Sequence, residues 1–310
     1  MIQKIFTFGT SNTAGGGFEF ESKYLSHDKR GELRKISRGD LLKKLYTEEP
    51  KTQNHYSWPG QLQKLLNDKN YKISVNNISK QGYGNERMYR KFFDLVKHGD
   101  DYINGVPKEN CLFIFEFSDI SRKEFWFEPI NNHIVMNYKA VQDDSGAQMA
   151  HSYYYDNKEI LMKIEEKQNL FVEFRKNLID IDNELKDVSR KITMFIDFLE
   201  YNNFNFMISS SPFILDMEYQ NEYDKFEKYL MEFGFDGGKK YKDFHRFADI
   251  EQIRIMDETK EEITDIHSSL FGNKTIAKNV FNEMIEKKYI DGNRVEVLNN
   301  NSKNIKNTLL

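Results

Sequence analysis

The chain has 310 residues, enough for one large domain with a sizeable insertion. Its 45 basic and 49 acidic residues leave a net charge of −4, which argues against a general binder of nucleic acid or anionic membranes. One cysteine rules out a disulfide within the chain, and no apolar run could span a bilayer or serve as a signal peptide, so a cytoplasmic protein is expected.

Residues 4–17, KIFTFGTSNTAGGG, set the pattern for the rest. Ile5, Phe6, Thr7 and Phe8 are β-branched or aromatic without a polar break, as in a strand buried on both faces. Gly9 ends the run and a polar, glycine-rich turn follows. That turn sets the Ser11 hydroxyl at the carboxyl edge of a sheet, where open α/β folds put their sites. The run Gly15-Gly16-Gly17 lacks the lysine and spacing of a phosphate-cradling loop and lies wrongly for a dinucleotide fingerprint.

Residues 18–57 are charged and irregular, with a short helical candidate at 40–46. Ser57-Trp58-Pro59-Gly60 reads as a helix start, with Ser57 as cap and proline in the first turn; Leu62, Leu65 and Leu66 supply the apolar stripe. A second strand is expected over 71–78, ending in the glycine-bearing turn 79–85. A helix to about residue 97 then carries Met88, Phe92, Phe93 and Val96 inward. The third strand, 112–117, is apolar except for Glu116. Strands and helices alternating at these spacings imply βαβ units and a parallel sheet.

Residues 119–157 break the rhythm, being rich in aromatic and polar residues with no lasting period. They read as an insertion over the carboxyl edge of the sheet: a lid, a substrate wall, or a packed loop that touches no substrate. Over 158–201 the spacing predicts a long helix. Phe171, Phe174, Leu178, Ile181, Leu185, Val188, Ile192, Phe195 and Leu199 recur in steps of three and four. Unbroken, that stripe would be roughly 42 Å long. Its narrow repeat suits a coiled-coil seam, and so a homodimer through helix 171–199. Asp180, Asp182 and Asn183 mark the alternative, a kink between two shorter helices. A fourth strand, 205–209, leads into Ser210-Ser211-Pro212 and a helix over 217–232. Residues 264–272 read as a turn before a helix from about 273 to 288, and the tail 291–310 as disordered.

A serine becomes a nucleophile only when a base takes its proton and a third group orients that base. Of seven histidines His267 is the best placed, in the turn before a helix with Asp265 two residues upstream. Such an aspartate can reach the imidazole nitrogen facing away from the serine and fix the tautomer. No two histidines share the spacing of a metal site and Cys111 stands alone, so neither a metal nor another cofactor is expected.

Together these segments resemble, in order, the blocks of the SGNH or GDSL-like serine hydrolases, particularly the divergent branch common in phage and bacterial polysaccharide contexts. Residues 8–13, FGTSNT, resemble the first block, with Ser11 at the nucleophile. Ser57-Trp58-Pro59 ahead of a leucine helix resembles the segment that follows. Residues 77–85 resemble the second block, in which Gly82 matches the glycine that offers a backbone N–H to the oxyanion. Residues 115–126 resemble the third block, and 265–277 the last, which carries the base His267. The likeness covers roughly residues 1–126 and 200–288. Three positions depart from the pattern: Thr10 stands where the family has Asp, Ser118 where it has an oxyanion-donating Asn, and Thr264 where the acid is common.

The resemblance implies one domain over 1–290, an α/β fold in the form of a three-layer αβα sandwich. Its mostly parallel central sheet is of the flavodoxin-like, SGNH-hydrolase type, with the aromatic insertion and the long helix added. It also implies an esterase acting on small acyl esters, most often O-acetyl groups on carbohydrate. Ser11 attacks, His267 is the base and Asp265 takes the acid's role; the oxyanion lies between the N–H groups of Ser11 and Gly82 and the Ser118 hydroxyl. Asn12, Asn85, Arg122 and Trp126 are the candidate substrate contacts. Nucleic acid and membrane are not expected as partners, and a phage-encoded copy could be virion-associated. The alternative is a catalytically weak or inactive scaffold serving as a polysaccharide-binding or structural module. Ser118 in place of Asn favours that alternative, and the retained Ser11/His267 pair opposes it.

Overall fold

The side chains of β1 (Lys4–Phe8) point alternately to two apolar layers, and the rest of the architecture is built on either side of them. The computed structural model describes residues 1–9, 11–14, 55–80, 84–96, 102–117, 122–137, 180–210, 252–256, 262–268 and 270–291, with single positions at 159–173 and 228–232. After β1 come the single turn α1 (Ser11–Ala14), α2 (Trp58–Asp68), β2 (Ser74–Asn77) and α3 (Asn85–Val96). A short hairpin, β3 (Tyr102–Ile103) and β4 (Val106–Pro107), precedes β5 (Cys111–Phe117). A second hairpin, β6 (Arg122–Phe127) and β7 (Asn132–Asn137), follows it. Then come α4 (Ile181–Tyr201), β8 (Asn205–Ser210), the antiparallel pair β9 (Gln252–Met256) and β10 (Glu262–Ser268), and α5 (Leu270–Glu286).

Four parallel strands form the central sheet in the order β2-β1-β5-β8. The chain steps from β1 to one side for β2, crosses back to β5 and continues outward to β8. The order therefore reverses between β1 and β5, the place where an open sheet leaves a crevice beyond its carboxyl ends. On one face Phe6, Phe8, Phe113 and Phe115 pack with residues of α3 and α4; on the other Ile5, Leu112, Ile114 and Met207 pack with residues of α2 and α5. This is an α/β arrangement with helices against both faces of a parallel sheet. Phe92 of α3 is the hub of the first layer, edge-on to Phe8, Phe113, Phe115, Phe195 and Phe204 at centroid distances of 5.3 to 6.1 Å. Edge-on is the contact that ring quadrupoles favour.

Local chemistry sets the helix boundaries. Ser57 caps α2 as its motif suggests, its hydroxyl accepting the Gly60 N–H at 3.2 Å, with Pro59 in the first turn. Asn70, Asn203 and Lys288 close α2, α4 and α5 with positive φ. In each case the next residue's N–H reaches back to a helix carbonyl, as Tyr71 does to Leu66 at 2.9 Å.

Three expectations are corrected. First, α4 does not run unbroken from 171. Asp180 has extended backbone angles and its carboxylate accepts the Asp182 N–H at 3.0 Å, so the helix starts afresh at Ile181. Leu185, Val188, Ile192, Phe195 and Leu199 are buried in the layer around Phe92, so a dimer seam has no access to these five. Phe171, Phe174 and Leu178 lie outside the described residues. Second, the aromatic insertion, read as having no lasting period, begins with a strand pair, β6 and β7, joined across a turn at Asn131. Third, residues 264–268 are strand, not turn, and α5 begins at Leu270. The helical candidate at 40–46, the triple glycine, most of 138–179 and 211–251, and the tail from 292 lie outside the described residues. Among the described residues no helix is long and apolar enough to cross a membrane.

Candidate active site

On the face covered by α2 and α5, the middles of β1, β5 and β8 are apolar and their carboxyl ends turn polar. Thr7 follows Ile5 on β1, Glu116 follows Ile114 on β5, and Ser209 follows Met207 on β8; all three are buried. Glu116 and Ser209 are register partners across β5 and β8. The carboxyl edge of the sheet is thus polar on this face, and α1 is fixed to it.

Thr13 makes that attachment. Its hydroxyl donates to the Glu116 carboxylate and accepts the indole N–H of Trp58 at 3.2 Å. Its carbonyl accepts the Asn77 side-chain amide at 2.9 Å. Asn77 is itself held, its carbonyl oxygen accepting the Thr7 hydroxyl at 3.2 Å and the Ser79 N–H at 3.1 Å. Gly9 allows this close approach: a Cβ there would lie 2.5 Å from Thr13 Oγ1 and 2.9 Å from Glu116 Cβ. The sequence motifs FGTSNT, SWP and the end of the second strand therefore meet at one threonine.

Ser11 is the first residue of α1, two positions past Gly9, and Asn12 follows it. α1 lies against β10, with residues of the two approaching within 8 Å between Cα atoms, and β10 also adjoins the start of α5. Asp265 pairs with Ile253 and Ser268 with Gln252, so Ile266 and His267 are extra residues in a bulge. Bulges are common next to active sites, where they re-aim the chain. α1, which carries Ser11, and β10, which carries Asp265 and His267, are thus neighbours. Gly82 and Ser118 lie outside the described residues; Phe117, just before Ser118, ends β5 opposite Ser210 of β8. Asn85 opens α3 and is buried.

Arg122 and Trp126 belong to the β6–β7 hairpin, which is not part of the Thr13 network. Trp126 is 56% exposed and meets His133 edge-on across the hairpin at 5.2 Å. The hairpin is fastened to α3 by Arg90 and Glu124 at 2.7 Å, and to α4 by Lys123 and Glu184 at 3.7 Å. Burial raises the Glu124 carboxyl above its usual range, against the lowering by Arg90. Beside the crevice the Lys80 backbone N–H reaches the Gly9 carbonyl at 3.4 Å. Burial, then Arg87 and Lys91, hold the Lys80 ammonium below its usual range. Burial also pushes the Cys111 thiol up to about 11, in keeping with its place in the core as a small hydrophobe.

No family model, curated protein or solved structure matches the chain. The site's reading therefore rests on its own residues. Sequence reasoning missed the network of Thr13, Trp58, Asn77 and Glu116. Its one visible signal was Glu116, the single charge in the apolar run CLFIFEF.

Proposed function

We propose that this chain is a serine esterase of the SGNH type, on a flavodoxin-like, three-layer αβα scaffold, removing small acyl groups such as O-acetyl from carbohydrate. The observation that carries the reading is the meeting of α1, which begins with Ser11, and β10, which holds Asp265 and His267. In this mechanism His267 takes the Ser11 proton as Oγ attacks the ester carbonyl, while Asp265 steadies the imidazole. The oxyanion is held by the N–H groups of Ser11 and Gly82 and by the Ser118 hydroxyl. His267 then passes its proton to the departing sugar hydroxyl. Water, activated by the same base, attacks the acyl-serine and releases the acid.

The test is labelling by a fluorophosphonate together with hydrolysis of p-nitrophenyl acetate. Wild type should react with both. Ser11→Ala should do neither, and Ser11→Ala or His267→Ala should each lose about 1,000-fold or more in ester rate, with the double variant little worse. A labelled Ser11→Ala variant would refute the assignment. The exposure of Trp126 favours a second reading, a non-catalytic carbohydrate-binding module, which predicts an inert wild type that still binds polysaccharide.

A further inference from the structure

Beneath the turn that carries Ser11 lies a carboxylate that the proposed mechanism does not use. Glu116 is 1% exposed, in the fully buried central strand β5, on the same face as Leu112 and Ile114. A carboxylate out of water is costly unless hydrogen bonds replace its hydration, and an apolar residue would continue the face at no such cost. Among its contacts, the carboxylate accepts the Thr13 hydroxyl. We infer that Glu116 is a positioning residue for the nucleophile turn: through Thr13 it holds α1, and with it Ser11, at the carboxyl end of β1. The inference rests on the esterase reading above.

Three features support it. α1 is a single turn of four residues, too short to hold its own geometry, so its position is set by what it is tied to. The ties converge on Thr13 from three different elements: Glu116 of β5, Trp58 of α2 and Asn77 at the end of β2. The Trp58 N–H enters the Thr13 oxygen while the Thr13 hydrogen leaves towards Glu116, so the bonds run in one direction and reinforce one another. The last of them ends on a carboxylate, the stronger kind of acceptor.

Two isosteric changes test this. Glu116→Gln keeps the volume and one acceptor oxygen but removes the charge; Thr13→Val keeps the shape and removes the hydroxyl. Each should slow fluorophosphonate labelling of the folded protein about tenfold, and lower kcat for p-nitrophenyl acetate with KM unchanged. The double variant should be no slower than the slower single, because the two residues act along one path. Hydrogen exchange at the Thr13 and Ala14 amides should accelerate about tenfold in both single variants. A carboxylate that merely stabilises the fold would lower the denaturation midpoint but leave labelling and α1 exchange unchanged, and that result overturns the inference. So do losses that multiply in the double variant. If wild type is not labelled, the esterase reading fails on its own; α1 exchange then decides whether Glu116 holds the turn. Where Glu116→Gln does not fold, unchanged α1 exchange in Thr13→Val overturns the proposal.

Discussion

Replacing Gly9 with alanine puts a single methyl into a junction that has no room for it. The added Cβ would lie 2.5 Å from Thr13 Oγ1, 2.8 Å from Thr13 Cβ and 2.9 Å from Glu116 Cβ. Carbon atoms in good contact stay about 3.5 Å or more apart, so a gap of roughly 0.6 Å or more has to open. Two of the three obstacles are Cβ atoms, which no side-chain rotation can move. Either α1 lifts off the sheet or β5 shifts. Overpacking of this kind costs about 1–3 kcal/mol. Lifting α1 also stretches the Thr13 hydrogen bonds, so a loss of about 2–3 kcal/mol is expected. Urea unfolding followed by tryptophan fluorescence measures it, with m unchanged if only the native state is affected. A misplacement near 1 Å of the turn bearing Ser11 should cost about 100-fold in ester rate on the same sample. A Gly9→Ala protein within about 0.5 kcal/mol of wild type and fully active would refute the packing argument.

Other expectations follow from the same contacts. Leu185→Glu should unfold the monomer by more than about 3 kcal/mol rather than dissociate a dimer, because Leu185 is buried against the chain's own sheet; circular dichroism and light scattering on one sample distinguish the outcomes. Arg90→Ala strands the Glu124 carboxylate, whose side chain is 2% exposed, and should cost about 3 kcal/mol at pH 7. Without Arg90 the carboxyl is raised further above 4.5, so the folded state holds its proton more tightly than the unfolded state does. The loss should therefore shrink as pH falls from 7 to 5 in urea titrations, and equal losses at both would refute the pairing. Trp126→Ala should leave stability within about 0.5 kcal/mol, since the ring is largely exposed, yet raise KM for a polysaccharide ester if the hairpin touches substrate.

β1 and β5 were legible because they carry mostly apolar runs bounded by turn residues, and Ser57 announced its helix by cap chemistry. The regular stripe through 171–199 misled because a three-four repeat marks any buried helix face. One carboxylate at Asp180 was enough to begin a new helix within it. The β6–β7 hairpin hid for the opposite reason. With Phe125 40% and Trp126 56% exposed, apolar residues stand next to each other and the period-two alternation is lost. Ser11 and His267 could be named from their motifs, but no local pattern shows that Thr13, Trp58, Asn77 and Glu116 meet. They are brought together by a crossover between strands more than a hundred residues apart.

That crossover also orders events during synthesis. β1 is made first yet lies inside the sheet, and its pairing with Cys111–Phe115 waits until that stretch has left the ribosome. At about 5–20 residues per second, the β5 side of β1 stays open for roughly 5–20 seconds, while β2 can cover its other side sooner. The face bearing Ile5 waits longer still, since α5, which shares its cover with α2, spans Leu270–Glu286. Until residues 111–115 emerge β1 has an open apolar edge, and until α5 follows the face bearing Ile5 lacks part of its cover. A cell producing this protein has to keep that edge from pairing with its neighbours until β5 arrives, and that face from associating until α5 does.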